Sequence, residues 1–108
     1  MTLEPGLDRH EWESEFASIE EGLADDPYDG LPQFADLVER MLTERGYDVG
    51  DPVARAGEER EVVVDYLAAR ETSDRIERDE AVDPGDVAAA INNLRDLYDY
   101  LLAERETP

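Results

Sequence analysis

Apolar side chains recur along this chain at intervals of three and four, the spacing of helices that bury one face. Trp12, Phe16, Ile19 and Leu23 fall within one narrow stripe at about 100° per residue. Asp8 with Glu11 three residues on forms a capping-box pair, and Gly22 supplies a stop, so a first helix is expected over 8–23. The stretch 24–31 (ADDPYDGL) then carries the turn residues of a loop. Pro32 stands where a first-turn proline belongs and opens a second helix, 32–45. Phe34, Leu37, Val38, Met41 and Leu42 form its apolar face, Gly46 sits just past its end, and Asp36 and Arg40 are spaced as an i,i+4 ion pair.

Asp51-Pro52 is a cap followed by a first-turn proline, which predicts a short helical turn over 52–56 with a break at Gly57. A third helix is expected over 58–78. Its line of Val62, Tyr66, Ala69, Ser73 and Ile76 is broadened by Val63 and Leu67 to nearly half the circumference, which marks it as the most enclosed helix. Glu71–Arg75 and Asp74–Arg78 are spaced as i,i+4 pairs on its second half. Asp83-Pro84, with Asp86 following, opens a fourth helix over 84–105, striped by Val87, Ile91, Leu94, Tyr98 and Leu101. The short link between the third and fourth helices implies an antiparallel hairpin. The pattern as a whole predicts an all-α fold: one small bundle of four main helices over 8–105, with loose ends at 1–7 and 106–108.

Charge changes the picture. The 108 residues hold 30 acids against 10 bases, a net charge of −20, and every base is arginine. Leu, Ile, Val and Phe make up only 24 residues, close to the level at which a highly charged chain stays disordered. The helical stripes make sense only if buried, and the conflict resolves if the working solvent is concentrated salt, where the Debye length falls to about 3 Å at 1 M. The composition resembles that of cytoplasmic proteins from salt-in halophiles, rich in Asp and Glu and poor in Lys. Its natural cofactors are then only the monovalent cations and water of that solvent. A nucleic-acid mimic would concentrate its acid, whereas residues 1–54 and 55–108 hold 15 acids each. The absence of a long apolar run or a basic–apolar leader predicts a cytoplasmic protein without a membrane span.

Candidate chemistry is sparse. There is no cysteine, which excludes disulfides and thiolate sites. Counting Asp25 as position 1 puts Asp29 at position 5 and Asp36 at 12, part of the EF-hand pattern, so these three are the candidate ligands for Ca²⁺ or Mg²⁺. Pro27 at position 3 offers no ligand and breaks the match. Asp96-Leu-Tyr-Asp99 and Glu58-Glu-Arg-Glu61 resemble the carboxylate pairs of MazG-like pyrophosphohydrolases, but Asp96 lies about 180° and Asp99 about 120° from the fourth helix's stripe, facing solvent. His10, the only histidine, has no partner set for a triad or a zinc site. Arg70, Arg75 and Arg78 interleave with Glu71, Asp74 and Glu77, so no basic stripe is offered and direct nucleic-acid binding is not expected.

What remains is surface for proteins. Tyr28, Tyr47 and Tyr100 are placed outside the stripes, where an apolar ring with a polar tip suits an interface. The breadth of the third and fourth helices suggests a self-pairing seam, with Tyr66, Leu67, Leu97 and Leu101 as its candidate residues. The expected function is a salt-adapted, non-catalytic interaction module, with a protein partner or a second copy as ligand. The alternatives are a divalent-metal-dependent hydrolase or metal-binding protein, and an accessory subunit of a nucleic-acid complex.

Overall fold

An Asp-Pro pair opens two of the four helices in the computed structural model, which describes residues 5–47 and 58–106, with side chains over 10–47 and 61–103. The helices are α1 (Pro5–Asp25), α2 (Pro27–Glu44), α3 (Glu58–Glu77) and α4 (Pro84–Glu106), and no strand occurs among the described residues. The predicted turn at 52–56 and the break at Gly57 lie outside the described residues. Residues 5–7 and Glu106 belong to helices rather than to loose ends, and α1 starts with a proline in its first position, where no backbone N–H is needed.

The largest departure from expectation is the loop at 24–31. It is helical except for Asp26. Asp26 adopts an extended backbone (φ −153°, ψ 97°) and its carboxylate accepts from the N–H groups of Tyr28 at 3.1 Å and Asp29 at 3.4 Å, so Asp26-Pro27 is the cap and first turn of α2. Pro32 therefore sits inside α2, and Gly22 inside α1. Gly30, part of the stretch expected to be a loop, is a packing residue. A Cβ there would lie 2.9 Å from the Leu23 side chain and 3.1 Å from its Cα, so only glycine lets the first turn of α2 pass this close to the end of α1.

The chain then builds around α2. This helix packs against each of the others; α3 packs on α4, α1 touches α4 more lightly, and α1 does not pack on α3 among the described residues. Leu31, Phe34, Ala35, Leu37, Val38, Met41 and Leu42 are all fully buried, so α2 rather than α3 is the most enclosed helix. The reason is position: a helix with three neighbours buries more than one broad stripe. Phe16 of α1 stacks on Tyr98 of α4 at 4.1 Å between ring centroids, and meets Phe34 of α2 at 5.5 Å. Only Ser73 interrupts the described apolar core, with no hydrogen-bond partner for its hydroxyl.

Two helices end in the same six-residue device. At α2, Gly46 takes φ +87° while its N–H meets Thr43 O at 3.0 Å and Tyr47 N–H meets Leu42 O at 3.0 Å. At α3 the same bonds run from Asp79 to Ile76 O and from Glu80 to Arg75 O, but the left-handed position holds aspartate, at φ 61°. A side chain there carries a steric cost of roughly 1 kcal/mol that glycine escapes. Asp79→Gly is expected to raise stability by about that amount, read as a higher denaturant midpoint at unchanged slope.

Candidate functional site

The polar chemistry of the molecule lies between its helices, where each arginine with a described side chain meets a partner. On α3, Arg70 is held among three side chains. Its Nε donates to the Tyr66 hydroxyl at 2.8 Å, and its Nη2 donates to Glu39 Oε1 at 2.8 Å and to Asp36 Oδ1 at 2.9 Å. Tyr66, buried in the bundle, donates its own proton to Glu39 Oε1 at 2.7 Å. The result is a clamp between α2 and α3. Burial pushes the Tyr66 phenol up to about 12; the Arg70 hydrogen bond opposes this and the bond to Glu39 adds to it. Burial works against the Arg70 charge, but the hydrogen bonds to Tyr66 and Asp36 hold its pKa above the ordinary arginine value.

The Tyr66 shift has a sign that can be tested. The phenol is neutral in both folded and unfolded chains below about pH 10, so its contribution is complete there and is lost as pH rises through the folded value of about 12. With solvent-facing Glu39 as a partner, the loss is about 1–2 kcal/mol. Melting temperature is expected to fall across that window. In Tyr66→Phe it starts lower, because the clamp loses two hydrogen bonds, and its dependence on pH is flatter.

Arg45, the cap residue of α2, joins three helices. Its Nη2 donates to Leu101 O of α4 at 2.7 Å, and its guanidinium lies 4.7 Å from the centre of the Trp12 ring of α1. Arg95 of α4 grips Glu20 of α1 through two bonds, at 3.0 and 3.2 Å. Arg40 pairs with Glu15 through both of its terminal nitrogens, one of them at 2.9 Å, and this hydrogen bonding holds the Glu15 carboxyl below its usual value. The expected Asp36–Arg40 pair is thus replaced by two interhelical ones, since Asp36 turns to Arg70. Arg75 and Arg78 likewise bypass the spacing expected within α3. Both bond Glu80, which the turn after α3 folds back toward them.

The sequence-derived candidates separate in space. Asp29 and Asp36 line an open groove of about 530 Å³ between the start of α2 and the end of α3, with Asp26, Glu77 and Asp79 also on its walls; Asp25 is not among its lining residues. Among the described residues no three carboxylate or imidazole groups converge to hold one metal ion. The twelve-residue loop count fails because the segment is a helix corner, which spreads its acids along α1 and α2. Asp96, Asp99, Glu61 and His10 are exposed on separate turns. Tyr66, Leu97 and Leu101 are buried inside the single chain and Leu67 packs partly against the same core, so none of the four forms an open seam. Tyr28 is a helix residue rather than a loop residue, and its hydroxyl donates to Val82 O at 2.9 Å, tying α2 to the turn between α3 and α4. Tyr47 packs partly buried against the core. Of the expected surface tyrosines, Tyr100 alone is exposed, joined there by Val64. The Tyr66 clamp was not anticipated; its one sequence signal is Arg70 four residues after Tyr66, with the α2 acids invisible to spacing. No described helix is long and apolar enough to cross a membrane.

The chain matches no protein-family model, no curated protein and no solved structure.

Proposed function

We propose that this chain is a salt-adapted, non-catalytic helical module that associates with a second copy of itself through the outer faces of α3 and α4. The observation that carries the reading is the pair Val64, 46% exposed, and Tyr100, 37% exposed. They are the large apolar side chains left in solvent among the described residues, one on each of two helices that pack together. The ion pairs of the described arginines support the same reading. Arg70, Arg75, Arg78 and Arg95 are each engaged by carboxylates of this chain, so the described surface offers apolar contact rather than cationic capture. In molar salt, charge steering is screened while hydrophobic association keeps its strength, which suits a small apolar contact in an acidic surround.

Light-scattering mass on a sizing column in about 2 M KCl tests this. The wild-type protein is expected to run as a dimer, and Val64→Glu with Tyr100→Glu is expected to run as a folded monomer. A wild-type monomer, or a dimer that survives the double substitution, would overturn the reading.

A further inference from the structure

We infer that the α1–α2 corner is a hinge through which two copies of this chain can exchange α1, with Pro27 as the residue that holds the exchange back. This goes beyond the outer-face contact and does not involve Val64 or Tyr100.

The corner interrupts the helical backbone at a single residue, the extended Asp26. Asp26 N–H bonds Gly22 O at 2.8 Å and Gly30 N–H bonds Asp26 O at 2.9 Å, both in the i to i−4 pattern. Between them only Pro27, Tyr28 and Asp29 depart from that pattern: Pro27 has no N–H, and the other two donate to the Asp26 carboxylate. Straightening the corner therefore needs few backbone changes, and Pro27 is the main obstacle.

The buried stripes of the two helices are in phase across the corner. On a continuous helix Phe16, Ile19, Leu23, Phe34, Leu37 and Met41 lie within about 60° of one another. A straightened α1–α2 helix would thus present one apolar face along its whole length, a face no single chain could cover. A second copy covers it. In the closed chain α1 runs antiparallel to α2, as Glu15–Arg40 and Trp12–Arg45 show by joining residues on either side of the corner. A two-fold axis through the straightened corner lays α1 of each copy on α2 of the other, and each of those pairs re-forms between chains. The closed corner also brings the Leu23 backbone so close to Gly30 that a side chain there would be crowded. Opening relieves that approach.

The exchanged form has a distinct shape. A straight helix over Pro5–Glu44 is roughly 60 Å long at 1.5 Å per residue, whereas the longest extent of the closed chain is 44 Å. The test uses the full chain carrying Val64→Glu and Tyr100→Glu, so that association through the outer faces is removed and the two proposals fail separately. Onto it are placed Pro27→Ala, which lifts the obstacle to a straight helix, and separately Gly30→Ala, which crowds the closed corner and favours helix. Light-scattering mass, X-ray solution scattering and far-ultraviolet circular dichroism are read together. The expected result is a doubled mass, a longest dimension of roughly 60 Å or more, and self-association at least about a hundredfold tighter than in the Pro27 parent. Folded monomers with the parent's dimensions, or dimers that are not elongated, would overturn the hinge. Loss of folding in both variants would also overturn it, because the exchanged dimer keeps the contacts of the closed chain.

Discussion

Moving the protein from about 2 M KCl to about 10 mM salt is expected to unfold most of it. The chain carries a net charge of −20 with all ten of its arginines already counted. At about 10 mM the Debye length is about 30 Å, as long as much of a molecule measuring 44 × 33 × 21 Å. Carboxylates on opposite sides then repel one another, and expansion relieves that repulsion. At about 1 M the Debye length is about 3 Å and only immediate neighbours interact. The interhelical ion pairs run the other way, gaining strength as salt falls, but exposed pairs are worth at most about 1 kcal/mol each. Net repulsion wins. Circular dichroism and solution scattering across a KCl series should show helix content and compactness falling together. A chain equally helical and compact at both ends would defeat the solvent argument and favour the reading of its acidity as mimicry of a phosphate backbone.

Replacing Phe34 by alanine is expected to cost about 3–5 kcal/mol. Phe34 is fully buried in the helix that all the others share, and its ring meets Phe16, which in turn stacks on Tyr98. Removing it opens a void where α1, α2 and α4 come together, and the backbone of α2 cannot collapse into it without leaving α3. A domain of this size has roughly 5–15 kcal/mol in all, so the variant should stand near its unfolding midpoint even in molar salt. Chemical denaturation in about 2 M KCl measures the difference. A loss below about 1 kcal/mol would show that the core repacks freely around this position.

The contrast between the two halves of the chain explains what could be read in advance. The stripes through Trp12 to Leu23 and Val87 to Leu101 predicted which side chains face the core, all of them buried except the partly buried Phe16, because a helix repeats its face regardless of what packs on it. The α1–α2 corner defeated the same reasoning. Gly30 and Pro32 are breakers by propensity, yet one fits against Leu23 and the other sits within α2, so tertiary packing overrides local preference. Asp26-Pro27 carried the same signal as Asp83-Pro84 and was masked by the turn residues after it. Because the metal reading of Asp25, Asp29 and Asp36 depended on a loop there, it lost its geometry along with the loop. The ion pairs were less legible still. Spacing could suggest Asp36–Arg40, but the choice of Glu15 for Arg40 and of Arg70 for Asp36 belongs to the packing of α1 and α3 on α2. Leu97 and Leu101, expected to line a self-pairing seam, are buried in the core of the single chain, because neighbouring helices already use the breadth of that face.

The way α2 bridges the molecule also sets how quickly it can form. Its neighbour α1 precedes it by one residue, and α3 and α4 form a second hairpin joined by a short turn, so most contacts close small loops. The most distant associations are those of α4 with α2 and α1, such as Arg45 with Leu101, 56 positions apart, and Glu20 with Arg95, 75 positions apart. Two hairpins that assemble locally and then dock along one shared helix make a low-contact-order fold, the kind that folds in microseconds to milliseconds. Arg45 and Leu101 lie where that docking step is decided, so substitutions that weaken their contact should slow folding.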